Sequence, residues 1–240
     1  MKHPFRCNIL PFFTLGAGGF GLALRLWLFS GTDEKGLLPA GHVADYALYI
    51  LTALTLGIVF LATRQLTPRR ISKRFFRLSG VCGYAMGGLG LLFAALQTMS
   101  GSVVRLSWLT VIATTLGCLV MFFMAILKFF RKRPTYLFSA LLTVVLMLNT
   151  VSQCQVWGKL PQLQTYFFPL LASVFLIMSA YHATRHAAGR GNLKLLAFFS
   201  QSALFLCCLS LNCAQGPVYF GMLFWAGAQL YPCILIKKEA

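Results

Sequence analysis

Apolar runs of about 20 residues recur along the whole chain, each followed by a short loop and then by another run. At about 1.5 Å per residue in an α-helix, a run of this length crosses a hydrocarbon core of about 30 Å. The 240 residues are 58% hydrophobic and only 10% charged, with a mean hydropathy of +0.76. That leaves too little polar surface to cover a water-soluble globule, so the chain reads as an integral membrane protein. The loops are too short for a second domain.

The spans fall at about residues 8–30, 42–63, 78–98, 106–127, 135–154, 165–184, 195–212 and 218–236. The N-terminal stretch has a basic beginning and an apolar run, like a signal peptide. The run continues through Trp27 to Phe29 without a convincing small-x-small cleavage site before a polar region, so it reads as a retained first helix.

Basic residues test this threading. Of the 21 lysines and arginines, only Arg25, Lys35, Arg105 and Lys159 fall in or near one set of alternate loops. The remaining 17 lie near the termini or in the other set, including Arg64, Arg69, Arg70, Lys128, Arg185, Arg190 and Lys194. Short loops rich in Lys and Arg stay in the cytoplasm, so the asymmetry predicts an all-α polytopic bundle of eight spans with both termini cytoplasmic. Clustering between apolar segments also argues against nucleic acid as the partner of a chain with net charge +17. The expected partners are the lipid bilayer and, at the cytoplasmic basic loops, anionic lipid.

Acidic residues are scarce. Three of the four, Asp33, Glu34 and Asp45, lie between Arg25 and the start of the second span, and the fourth is Glu239. On the second span, His42, Asp45, Tyr46, Tyr49 and Thr52 recur at spacings of three and four, forming a polar stripe that should face protein or water. Arg25 and Asp45 lie at similar depth in the first hairpin, and we expect them to pair. Such a pair has two readings, a structural clamp or a substrate or proton site. Arg25, His42, Asp45 and Tyr49 are therefore the candidate substrate-binding residues.

Gly80, Gly83, Gly87 and Gly90 share a face of the third span and predict close helix packing, with Gly16, Gly18, Gly19 and Gly21 of the first span as a counterpart. Asn149 and Gln153 share a face of the fifth span, Gln201 and Ser202 lie within the seventh, and Gln229 is near the middle of the eighth. Such groups bond across helices or line a solute path. Cys154 and Cys213 are the two cysteines near external helix ends and the one pair placed for a disulfide. The fifth and seventh spans end alike, in LNTVSQCQVWG and LSLNCAQGPV, a hint of internal duplication.

His182 and His186 are four apart, yet further ligands are lacking and Arg185 disfavours a cation, so no metal and no cofactor is expected. There is no GxSxG, HExxH or CxxC, and no pair of carboxylates is placed for acid and base work, so no catalytic residue is assigned.

The stretch RLWLFSGTDEKGLLPAGH, with its arginine at the end of the first helix and DEKGLL in the first external loop, resembles the opening of multi-pass membrane proteins from Clostridia-like Gram-positive bacteria. The resemblance implies a bacterial cytoplasmic membrane and transfers no activity and no site residues. Three functions remain open: a transport-like or solute-binding protein with an external site, a noncatalytic accessory subunit bound to another membrane protein, and an intramembrane lipid enzyme.

Overall fold

The computed structural model describes residues 10–31, 42–64, 73–99, 108–130, 136–157 and 163–234. Asp33, Glu34, Lys35, Arg105, Lys159 and most of the basic loop residues lie outside the described residues. Among those described, the structure is helical throughout: α1 (Leu10–Ser30), α2 (Val43–Arg64), α3 (Lys73–Met99), α4 (Trp108–Phe129), α5 (Tyr136–Trp157), α6 (Leu163–Ala187), α7 (Leu193–Leu209) and α8 (Gly216–Ile234). Six of these, α1 to α6, are long and apolar enough to cross a membrane, while α7 is a shorter apolar helix of 17 residues.

Successive helices alternate in direction. The end of α1 meets the start of α6 and the end of α7, and the start of α7 meets the end of α2. From α3 to α8 each helix packs on the next, and α8 returns to α3, closing a ring of six. The α1–α2 hairpin lies outside this ring and docks on α7.

That placement explains the burial pattern. In α1, Leu10, Thr14, Gly18, Gly21, Arg25 and Leu28 recur every three or four residues and are buried, while Phe12, Phe20 and Trp27 point outward. The buried face of α2 carries Asp45, Leu48, Thr52, Thr55, Val59 and Thr63. Large apolar side chains outside and small or polar ones inside suit a helix whose surroundings are hydrocarbon. Helix α7 is held on several sides, by α1, α2, α6 and α8, and every residue from Ser200 to Ser210 is buried.

The α3 glycines work as close-packing residues, but their counterpart differs from expectation. Gly83 faces Ala228 and the Phe224 carbonyl of α8, and Gly90 faces Pro217 and Gly221 at the start of α8. Gly80 lies under Lys128 of α4, and Gly87 lies between Met121 of α4 and Trp225 of α8. The glycines of α1 divide instead between two faces. Gly18 and Gly21 press on Cys208 and Leu209 of α7, whereas Gly16 and Gly19 have nothing within 4 Å of where a Cβ would stand. A glycine stripe announces close approach without naming the partner, because any helix with a small residue at the right height fits it.

A side chain at Gly90 would place its Cβ 2.5 Å from the Pro217 carbonyl oxygen and 2.9 Å from the Gly221 Cα. Both obstacles are backbone, so Gly90→Val should destabilise the detergent-solubilised protein by about 2 kcal/mol or more. Gly57→Val, at a position with open space, should change little. A thermal unfolding series read by intrinsic fluorescence checks this, and equal midpoints for the two variants would refute the α3–α8 contact.

Candidate functional site

Two backbone carbonyls organise the end of the bundle where α1 finishes and α2 begins. Proline has no N–H, so Pro169 inside α6 leaves the Thr165 carbonyl, four residues earlier, without its helical donor. Helix α7 stops at Leu209, whose carbonyl is among the last of the helix and has no intrahelical partner. Arg25 meets both: Nη1 donates to the Leu209 oxygen at 2.6 Å and Nη2 to the Thr165 oxygen at 3.0 Å. Arg25 is only 1% exposed, and its guanidinium lies 5.5 Å from the Phe29 ring centre and 5.7 Å from that of Phe168.

Among the described residues, the hydrogen bonds that seat the arginine go to these two carbonyls on α6 and α7. A planar fork of donors suits two carbonyls on different helices, and the negative end of the α7 dipole adds to the attraction. Asp45 stands in the first turn of α2, 6% exposed, where the positive end of the helix favours a carboxylate. Tyr49, one turn further, stacks on Phe168 at 5.8 Å and meets Phe167 edge-on at 5.6 Å. Phe168 thus stands between Arg25 and Tyr49. His42 acts as the cap of α2: its Nδ1 accepts from the Ala44 N–H at 3.2 Å, and its ring meets Trp27 edge-on. Tyr46 leaves the expected stripe, being 60% exposed on the outer face.

Behind Arg25 lies a second polar group that spacing alone did not reveal. The Tyr219 hydroxyl on α8 donates to the Pro169 carbonyl at 3.0 Å and lies 3.0 Å from the Ser173 hydroxyl and 3.3 Å from the Gln153 amide oxygen. Gln153 in turn donates to Gln215. These bonds join α5, α6 and α8 at the same end of the bundle. Cys154 and Cys213, the pair placed for a disulfide, are both free.

A third polar group follows α7 deeper into the bundle. Thr14 of α1 donates to the Gln201 amide oxygen at 2.8 Å, and Ser200 lies 2.7 Å from Ser179 of α6. Gln201 Nε2 and the neighbouring Ser202 hydroxyl are buried without a hydrogen-bond partner among the described residues, as is the Asn149 amide oxygen. Turning the Gln201 amide over would only leave its oxygen unanswered in place of its nitrogen. Gln229, which the sequence placed with these groups, donates instead to the Tyr84 hydroxyl at 3.0 Å, beside Lys128. It belongs to a separate cluster between α3, α4 and α8. His182, at the opposite end from Asp45, lies flat on Phe199 at 5.0 Å.

Replacing Arg25 with Met leaves two carbonyls unanswered and should cost about 3 kcal/mol or more. Pro169→Ala restores an N–H within reach of the Thr165 carbonyl. The Arg25→Met penalty should then shrink by about 1 kcal/mol in the Pro169→Ala background. A double-mutant cycle measured by reversible unfolding in detergent tests the link, and strict additivity would disprove it.

Compared with known proteins, the chain matches no family model, no curated protein and no solved structure, so the site is argued from its own residues.

Proposed function

We propose that this is a transport-like membrane protein that takes a small polar solute from the end where Arg25, Asp45 and Tyr49 lie. The observation that carries this reading is a pair of polar groups on α7, Gln201 Nε2 and the Ser202 hydroxyl, buried in mid-helix with no hydrogen-bond partner among the described residues. An unanswered donor in hydrocarbon costs free energy, and polar groups within a span are retained chiefly where they bind or conduct something. Above them, the inner face of α2 descends from Asp45 through Thr52 and Thr55, all buried. The candidate path thus runs between the α1–α2 hairpin and α7. It is closed in this conformation, as an occluded state of a transporter would be. His42 contributes by capping α2 and so fixing the approach of Asp45.

On the same reading all eight helices span a bacterial cytoplasmic membrane, with the Arg25 end outside and both termini inside. The 17 to 4 distribution of basic residues and the alternating helix directions support this orientation. The short α7 is compatible with it because α7 is enclosed by other helices and need not match the bilayer thickness alone.

A second reading, a noncatalytic subunit of a membrane complex, draws support from Gly16 and Gly19, the two α1 glycines that face outward. An intramembrane lipid enzyme has less support. His182 and Asp45 stand at opposite ends of the bundle.

Single cysteines introduced into a background lacking the native ones test the path. A membrane-impermeant thiosulfonate added from outside should modify Thr52→Cys and Ser202→Cys slowly, as the path opens, and should not modify the outward-facing Leu54→Cys. If Thr52→Cys and Ser202→Cys stay unmodified after prolonged exposure, the seam is only a packing contact and the proposal fails.

A further inference from the structure

From residue 46 to residue 238 the chain has no acidic side chain, so the cations from Arg64 to Lys194 have no carboxylate nearby in sequence. At one place the fold gathers several of them onto three helix ends. Helix α6 closes in a tight reversal: Gly189 adopts φ +76°, its N–H bonds the His186 carbonyl, and the Arg190 N–H bonds the Arg185 carbonyl. Gly191 then passes so close to the His186 backbone that no side chain fits there. Asn192 caps α7 by accepting from the Lys194 N–H at 3.0 Å. Lys194 Nζ reaches across to the Arg64 carbonyl at 2.8 Å and ties the end of α2 to the start of α7.

Arg64, Arg185, His186, Arg190 and Lys194 are all exposed around this junction. Two of the guanidiniums are set against rings: Arg64 lies 4.5 Å from the Phe60 centre and Arg185 lies 5.9 Å from that of Tyr181. Phe60 in turn meets Phe198 of α7 edge-on. The first N–H groups of α7 add a positive helix end to the same place. Immediately beside the cations the surface is apolar, with Ile58 and Leu61 of α2 and Leu195 of α7 exposed.

We infer that the joined ends of α2, α6 and α7 bind an anionic phospholipid, whose phosphodiester lies among Arg64, Arg185 and Arg190 while its acyl chains cover Ile58, Leu61 and Leu195. A free anion would satisfy the cations but leave the apolar flank bare. A zwitterionic lipid would cover the flank but bring no net charge. This surface does not depend on what passes, if anything, along α7. It does rest on this end being at a membrane face.

The protein reconstituted in phosphatidylcholine nanodiscs, with increasing phosphatidylglycerol, provides the test. Phosphatidylglycerol should raise the unfolding temperature above its value in phosphatidylcholine alone, and inorganic phosphate should not. In the Arg64→Gln/Arg190→Gln variant the phosphatidylglycerol needed for half the effect should rise roughly twentyfold. Arg69→Gln/Arg70→Gln, which removes the same charge from the α2–α3 loop, should change it little. The shift is read within each variant, so a general loss of stability cancels. Equal losses in the two variants would mean a diffuse field rather than a site. An equal response to phosphate would mean a small-anion site, and no response to phosphatidylglycerol would mean no site; each overturns the inference.

Discussion

A helix carbonyl that has lost its intrahelical donor needs another partner, and two such carbonyls decide how the Arg25 end of this bundle is assembled. One is exposed by Pro169 in α6 and the other by the end of α7 at Leu209. Arg25 answers both, so the first helix is joined to the ring at two points by one side chain. The rest of that end follows. The guanidinium lies near the Phe168 ring, Tyr49 stacks on the same ring, and α2 is carried into place with Asp45 at its head. The Pro169 carbonyl serves a second joint, accepting from Tyr219 and from Ser173, and so draws α8 towards α6, while Gln153 of α5 meets the same Tyr219 hydroxyl.

Elsewhere the bundle is held by other means. Lipid chains are as apolar as leucine, so burial gives little reason for one apolar helix to prefer another. Close backbone approach supplies that preference between α3 and α8, where Gly90 and Gly221 meet, and between α1 and α7, where Gly18 meets Cys208. At the far end the links are cationic and aromatic: Lys128 over Tyr84, Phe60 edge-on to Phe198, and Lys194 on the Arg64 carbonyl. Specificity therefore rests on polar joints at both ends and on small residues between them.

Much of this architecture was legible in the chain. The helix limits follow apolar runs bounded by basic loops, because the cost of burying charge in hydrocarbon is a strong local signal. What escaped were the long-range pairings. Arg25 was matched to Asp45 because opposite charges at equal depth attract; its described hydrogen bonds also lead to carbonyls 140 and 184 residues away, whose need for a donor depends on the fold. One signal was available: a proline within a span frees the carbonyl four residues before it, and among the described residues Arg25 is the one basic residue inside a helix at that end. Tyr46 was grouped with Asp45 by spacing, yet adjacent residues on a helix differ by about 100° in direction, enough to put one inside and the other outside. The α3 glycines were recognised as a packing face, while the choice of α8 over α1 lay in tertiary geometry.

The distinction between clamp and site then loses its sharpness. The α1–α2 hairpin touches the six-helix ring chiefly through α7, so on the proposed reading it is the element that can move without breaking the ring. Any such movement that opens the seam between α2 and α7 must first release Arg25 from Leu209 and Thr165, because those bonds tie α1 to the ring at the mouth of the path. The released guanidinium would need a new partner at the place where an incoming polar solute would first arrive. A residue that closes the bundle by answering two carbonyls is thus placed to sense the moment when something else can answer it. Closure and solute entry would compete for the same side chain.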